Sequence, residues 1–262
     1  MEEYRLDVYL HIKGYASSRE RAKQLISGNC VHLNDKLVTK SSTKVTDNDV
    51  IRVDNIFPYV GRGAVKLEKA LNHFSIDAHN AVAVDVGAST GGFTDFLLKH
   101  GARKVYAVDV GHGQLHESLR NENRVINLEN TNFRYIDSSL FTESVDIVTV
   151  DVSFISLKLI FPKIVEISHD KTKIVALVKP QFEAGRDNIG KNGIVKDRKV
   201  HLAVLRNIES YLEENGLYLE NITYSPVKGG DGNIEYLACA GRNKNYKAFN
   251  FKDLINEAFE IL

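Results

Sequence analysis

The chain has 262 residues, 43% of them hydrophobic and 26% charged, with Lys+Arg and Asp+Glu balanced at 34 each. That length allows two domains or one large one with an ample core. The zero formal charge excludes a protein that coats nucleic acid by its overall field, so any such binding has to use local patches.

No apolar run approaches the roughly 20 residues needed to cross a bilayer. The start Met1-Glu2-Glu3-Tyr4-Arg5 lacks the basic-then-apolar order of a signal peptide, so cytoplasmic residence is expected. Cys30 and Cys239 lie far apart, and the nine histidines form no ligand cluster, so neither a disulfide framework nor a metal site is indicated.

A small module is expected over residues 1–54. Leu6, Val8, Leu10 and Ile12 lead to Gly14, and Ser17-Ser18-Arg19-Glu20 reads as a helix start with Ser17 as N-cap and Glu20 closing a capping box. Ala22, Leu25 and Ile26 would form the apolar face of that helix, with Arg19 and Lys23 projecting from the other side near Arg21, and Gly28 would end it. Short alternating segments follow at Val31-His32-Leu33, Leu37-Val38 and Val50-Ile51-Arg52-Val53, separated by turns at Asn34-Asp35 and Thr46-Asp47-Asn48-Asp49.

This order resembles the S-four RNA-binding module, through Arg5-Leu6-Asp7, Ser18-Arg19 with Arg21-Ala22-Lys23, Ile26-x-Gly28-x-x-Val31-x-x-Asn34 and Asp49-x-Ile51-x-Val53. The resemblance implies that the Arg19, Arg21 and Lys23 face meets RNA phosphates, with Arg5 and Arg62 counted among the RNA-binding cations. Composition alone, nine Lys/Arg against eight Asp/Glu in residues 1–54, fits a solvated helix face better.

Residues 55–63, interrupted by Pro58, Gly61 and Gly63, read as a linker, and the domain that follows is expected over 64–262, starting with a helix from Ala64 to Phe74. Strand candidates at 81–86, 104–109, 124–128, 146–150 and 173–178 alternate with helical runs, the signature of an α/β doubly wound parallel sheet. Val200, Val204, Leu205, Ile208, Tyr211 and Leu212 mark an amphipathic helix closed by Gly216, and the last strands flank the loop Gly229-Gly230-Asp231-Gly232-Asn233. The apolar stripe of a C-terminal helix in residues 249–262 suits core packing better than a partner.

Val84-Asp85-Val86-Gly87-Ala88-Ser89-Thr90-Gly91-Gly92-Phe93 reads as a buried strand, a glycine-rich turn and a helix start. Gly87 permits the tight turn, and Gly91 and Gly92 let backbone N–H groups approach a ligand. Asp109 ends the next strand at about the 20-residue spacing of an acid that binds ribose hydroxyls. The run matches neither G-x-x-x-x-G-K-[ST] nor G-x-G-x-x-G. Asp85, just before the first glycine, would repel a pyrophosphate and suits a cationic amino-acid ligand, which points to S-adenosylmethionine.

Lys66, Asp151, Lys179 and Glu235 sit where strand ends or buried positions are expected. Asp151 and Lys179 each close a core strand, at the rim where open α/β sheets bind ligands. Alternating signs suggest a paired network with a partly desolvated lysine. A ribose 2′-hydroxyl attacking a methyl sulfonium needs such a base or a charge that favours the developing alkoxide. Lys179 could serve in either way, Asp151 would orient it and the cofactor, and Lys66 and Glu235 would hold the ribose.

From the first module to the last strand the chain resembles the TlyA family, whose members are called variously hemolysins and ribosomal RNA 2′-O-methyltransferases. The resemblance is carried by Asp85–Thr94, by Ala107-Val108-Asp109-Val110-Gly111-His112-Gly113-Gln114-Leu115, by Asp151-Val152-Ser153-Phe154-Ile155-Ser156, by Leu177-Val178-Lys179-Pro180-Gln181-Phe182-Glu183 and by Gly232-Asn233-Ile234-Glu235-Tyr236. It implies a Rossmann-like S-adenosylmethionine-dependent methyltransferase domain of the FtsJ-like type, behind a small α+β S-four-type RNA-binding domain. The family's Lys-Asp-Lys-Glu catalytic set falls on Lys66, Asp151, Lys179 and Glu235. The cofactor set expected is Asp85, Gly87, Ser89, Gly91, Gly92, Phe93, Asp109, Asn132 and Asp151. The implied reaction is methylation of cytidine 2′-hydroxyls in 16S and/or 23S rRNA within ribosomal subunits.

Gly61-Arg62-Gly63-Ala64 stands where the family often begins with serine, and His112 and His116 replace commoner aromatic or apolar residues. Two other readings remain at this stage: a membrane-active hemolysin, disfavoured by the missing apolar span, and a non-catalytic ribosome assembly factor, disfavoured by the intact tetrad.

Overall fold

A computed structural model describes residues 3–16, 18–28, 30–53, 58–190, 192–244 and 248–262. The chain divides into two compact units, residues 1–62 and 63–262. The first contains β1 (Tyr4–Arg5), α1 (Leu6–Ile12), α2 (Arg19–Ser27), β2 (Val31–Leu33), β3 (Lys36–Leu37), β4 (Lys44–Val45) and β5 (Ile51–Val53). β1 pairs with β4, while β2 is flanked by β3 and β5.

The run of apolar residues at every second position from Leu6 is a helix. Leu6, Tyr9 and Leu10 point into the core at helical spacing, and Ile12 is 61% exposed. They pack with Ala22, Leu25 and Ile26 of α2 and Val31 of β2. Ser17 lies outside the described residues; the Ser18 hydroxyl accepts the Arg21 N–H at 3.1 Å, and Glu20 pairs with Lys23. Asn34 and Asp35 carry φ of 50° and 63°, which gives the two-residue hairpin turn between β2 and β3 its twist-compatible form. Residues 55–57 of the expected linker lie outside the described residues, and the Tyr59 carbonyl accepts a hydrogen bond from Arg21 Nη1 at 2.8 Å.

The second unit contains α3 (Ala64–Phe74), β6 (Val82–Val86), α4 (Gly92–Lys99), β7 (Lys104–Val108), α5 (Glu117–Arg120), β8 (Val125–Leu128), β9 (Val145–Val150), α6 (Phe161–Ile167), β10 (Ser168–Val178), α7 (Pro180–Glu183), α8 (Arg198–Glu214), β11 (Tyr218–Tyr224), β12 (Tyr236–Gly241) and α9 (Phe251–Ile261). Its seven-stranded sheet has the order β11-β12-β10-β9-β6-β7-β8. β8, β7, β6, β9 and β10 run parallel; β12 is antiparallel to both β10 and β11, so the sheet is mostly rather than wholly parallel. β10 begins at Ser168, ahead of the expected 173, because α6 hands the chain directly to the sheet beside Val145.

The inner strands are buried along nearly their whole length and are mainly valine, isoleucine and alanine, as a sheet covered on both faces requires, with Asp85 and Thr149 as buried polar exceptions. Val204, Leu205, Ile208 and Leu212 of α8 and Phe251, Ile255 and Ala258 of α9 join one core with Val84, Val148 and Ala176. The C-terminal stripe is therefore core packing. Chain order reverses between β6 and β9, so the carboxyl ends of these neighbours form the crevice where such sheets bind ligands.

Candidate active site

The turn after β6 is shaped by its neighbours. Gly87 has φ +85°, and a β-carbon there would fall 2.4 Å from the Asp151 carbonyl oxygen at the end of β9. Only glycine lets the two strand ends meet so closely. Gly91, at φ +93°, starts α4 against Leu115 and Leu119.

Asp109 closes β7, and its two oxygens accept the backbone N–H groups of Ser89 at 2.8 Å and Gly111 at 2.7 Å. The carboxylate thereby links the glycine turn to the loop after β7 and keeps remaining lone pairs for hydroxyl donors. A recess of about 460 Å³ opens here, with Val110, Phe133, Val152, Ile155 and Ile160 as apolar walls and Asp109, Gln114 and Asn132 as polar groups. A second recess of about 260 Å³ is lined by Gly63, Gly92, Phe93 and Lys179 and shares Gly87, Ser89, Asp151 and Ser153 with the first. An apolar slot beside a carboxylate, continuous with a smaller polar chamber, fits a nucleoside joined to an amino acid.

Of the expected cofactor residues, Gly87, Ser89, Gly92, Phe93, Asp109, Asn132 and Asp151 line one recess or both. Asp85 and Gly91 line neither. Asp85, expected to balance a cofactor's charge, is fully buried, with its oxygens taken by the hydroxyls of Thr94 at 2.7 Å and Thr149 at 2.9 Å. Burial pushes its carboxyl up to about 6, against the lowering effect of the two hydroxyls. The carboxylates that do face the recesses are Asp109 and Asp151.

The four candidate catalytic residues come together as two ion pairs. Lys179 Nζ meets Asp151 Oδ1 at 2.6 Å, with side chains 11% and 22% exposed, and donates to the Ser153 hydroxyl at 3.0 Å. Lys66, on α3, meets Glu235 Oε2 at 2.6 Å, with 12% and 3% exposed. Burial raises the Glu235 carboxyl above its ordinary value, opposed by Lys66 and Lys179 and reinforced by Asp151. The influence of all three on Glu235 places the two pairs within electrostatic reach of each other.

Sequence reasoning assigned no role to the loop that carries Ser153 and Phe154. Phe154 holds φ +62° and is 91% exposed; its ring lies 5.0 Å from that of Phe182, itself 5.9 Å from Lys179 Nζ. Glu183 accepts the Ser156 hydroxyl at 2.7 Å and the Leu157 N–H at 2.8 Å, which ties this loop to α7. An exposed aromatic at positive φ is a costly conformation that sequence periodicity does not register.

In the first unit, Arg5 and Arg19 both pair with the buried Asp7, at 2.9 and 3.1 Å, and lower its carboxyl against the cost of burial. Lys23 pairs with Glu20, Arg21 reaches Tyr59, and Arg62 is exposed. Arg5 and Arg19 remain 45% and 54% exposed, so both guanidinium groups are fixed in direction and still open to solvent.

Fold and site together define a class: a doubly wound α/β domain with a nucleoside-sized recess at its switch point and a Lys-Asp-Lys-Glu set beside it, preceded by a small α+β unit. The FtsJ-like methyltransferase family matches residues 59–242, and the S4 domain family matches residues 5–51. Hemolysin A of Brachyspira hyodysenteriae is 46% identical over 89% of this chain and 98% of its own length. The 16S/23S rRNA (cytidine-2′-O)-methyltransferase TlyA of Mycobacterium tuberculosis is 40% identical over 88% of this chain and 87% of its own. A solved structure of a hemolysin-named protein from Streptococcus thermophilus superposes with TM-score 0.78 at 40% identity, covering 100% of this chain and 97% of that one. The chain belongs to the TlyA family of FtsJ-like methyltransferases. Among the described residues no helix is long and apolar enough to cross a membrane.

Proposed function

We propose that the chain transfers the methyl group of S-adenosylmethionine to the 2′-hydroxyl of cytidine in 16S and/or 23S ribosomal RNA, acting in the cytoplasm on ribosomal subunits. The observation that carries this reading is the Lys179–Asp151 pair at the junction of the two recesses, with the Lys66–Glu235 pair beside it.

Bound across the recesses, S-adenosylmethionine would supply an electrophilic methyl group. Asp109 would accept its ribose hydroxyls, Val110, Phe133 and Ile155 would enclose its base with Asn132 at the edge, and the turn from Gly87 to Phe93 would face its amino-acid end. Lys179 Nζ, aimed by Asp151 and Ser153, would as an ammonium stabilise the negative charge that grows on the 2′-oxygen, or, after giving up a proton of its own, would accept the proton of the 2′-hydroxyl. Burial of both pairs removes competing water and strengthens these interactions. Lys66, neutralised by Glu235, offers donors to the acceptor ribose. Phe154 and Phe182 present aromatic faces against which an unstacked base packs.

In the first unit, Arg5, Arg19, Arg21 and Lys23, with Arg62, are assigned to RNA phosphates. The sharpest test incubates the purified chain with radiolabelled S-adenosylmethionine and unmodified ribosomal subunits beside Lys179→Ala. Methyl incorporation into RNA, lost in the variant, supports the reading. Cofactor binding without any incorporation would point to an assembly factor, and leakage from liposomes that is insensitive to Lys179→Ala would support the hemolysin function.

A further inference from the structure

Glu235 has two oxygens in different surroundings. Oε2 meets Lys66, while Oε1 lies against the main chain of Gly229, where a β-carbon would fall 2.4 Å from Oε1 and 3.0 Å from Cδ. Unlike Gly87, Gly229 does not occupy the positive-φ region. An alanine at 229 would therefore push the carboxylate aside without straining its own backbone.

The turn that brings Gly229 to this place is closed by two main-chain bonds, from Gly229 N–H to Asn233 O and from Gly232 N–H to Gly229 O, each at 2.9 Å. Asn233 is fully buried, and its side-chain amide is used on both sides: Oδ1 accepts the Val195 N–H and Nδ2 donates to Gly193 O, each at 2.9 Å. His201, also buried, bridges Val195 O at 2.9 Å and the Tyr236 hydroxyl at 2.7 Å. The residues on either side of Ile234 and Glu235 are thus anchored to the same short segment of loop. A carboxylate left 3% exposed in such a frame has few places to go.

We propose that Gly229 and Asn233 are positioning residues for methyl transfer: Asn233 locks the 229–233 turn to the 193–195 loop, and Gly229 leaves the space that keeps Glu235 on Lys66. The proposal rests on Glu235 taking part in the reaction. Misplacement of a catalytic group by about 1 Å costs as much as a hundred-fold in rate.

The full chain is tested as Gly229→Ala, Asn233→Ala, Glu235→Gln and the Gly229→Ala/Glu235→Gln double variant. Single-turnover transfer to ribosomal subunits and S-adenosylhomocysteine affinity by calorimetry are the readouts. Gly229→Ala is expected to slow transfer about ten-fold or more, to leave the affinity within about two-fold, and to add nothing in the Glu235→Gln background. A wild-type rate for Gly229→Ala, or an equal fold-loss in both backgrounds, overturns the proposal. If Gly229→Ala does not fold, Asn233→Ala is judged alone and in the Glu235→Gln background by the same criteria. A wild-type rate for Glu235→Gln defeats the catalytic role of Glu235 itself and is read separately from the other variants.

Discussion

Lys66 and Glu235 stand 169 positions apart in the chain and 2.6 Å apart in the fold, both almost fully withdrawn from water. A pair of this kind gains little stability over an apolar replacement, yet breaking it on one side leaves a buried charge, at a cost of about 3–5 kcal/mol. Lys66→Met is therefore expected to destabilise the chain strongly at neutral pH and less in acid, because a Glu235 carboxyl raised by burial is relieved by protonation and its penalty returns as pH rises. Lys66→Met/Glu235→Leu should recover most of that loss in urea denaturation while transferring no methyl groups, which separates packing from chemistry.

Asp85 gives a pH dependence of definite sign. Its folded value of about 6 lies above the ordinary 3.8, so its contribution is fully present below pH 3.8 and is lost as pH rises through 6. Two units correspond to roughly 3 kcal/mol. Asp85→Asn, which mimics the protonated form and can still bond Thr94 and Thr149, is expected to match the parent near pH 4 and to exceed it near pH 7.5. Denaturation at the two pH values decides the matter; a constant difference between the proteins would refute it.

Phe154 combines 91% exposure with φ +62°. Phe154→Gly removes backbone strain of about 1–2 kcal/mol but adds about 0.5–1 kcal/mol of unfolded-state entropy, so stability should change by no more than about 1.5 kcal/mol. Loss of one stacking face, worth about 1–3 kcal/mol per base, should slow transfer to RNA by about five-fold or more, while cofactor affinity, which Phe154 also touches through its place in the wall of the larger recess, should fall less than the transfer rate. Calorimetry and single-turnover transfer on the same preparation test both halves.

Arg19 shares Asp7 with Arg5. Arg19→Ala leaves Asp7 one guanidinium partner, so the first unit should stay folded, while RNA affinity falls and the slope of log K against log salt flattens by about one. An unchanged slope would show that Arg19 serves the fold of the first unit and not the RNA. Replacing both arginines should unfold the unit, since Asp7 would be buried without a cation.

Much of the second unit was legible in advance. The helix expected at Ala64–Phe74 shows apolar residues at helical spacing, and the strands around Val84 and Val148 are short valine-rich runs followed by Gly87 or Asp151, signals that local propensity carries. The helix at Leu6 was obscured because Val8 and Ile12 complete an alternating pattern while Tyr9 supplies the burial. Asp85 was assigned to the cofactor because its place before Gly87 says nothing about depth; two threonines, one of them 64 residues away, turn it inward.

By itself the sequence determined the alternation of strands and helices through most of the second unit, the glycine turn and the identity of the polar residues at the strand ends, because these depend on neighbours within a few positions. Which lysine meets which carboxylate was decided only by the tertiary structure. The sheet order lays β10 parallel beside β9, which brings Asp151 to Lys179, and β12 antiparallel to β10, which carries Glu235 to Lys66 on α3, with the 229–233 turn setting Gly229 against the Glu235 carboxylate.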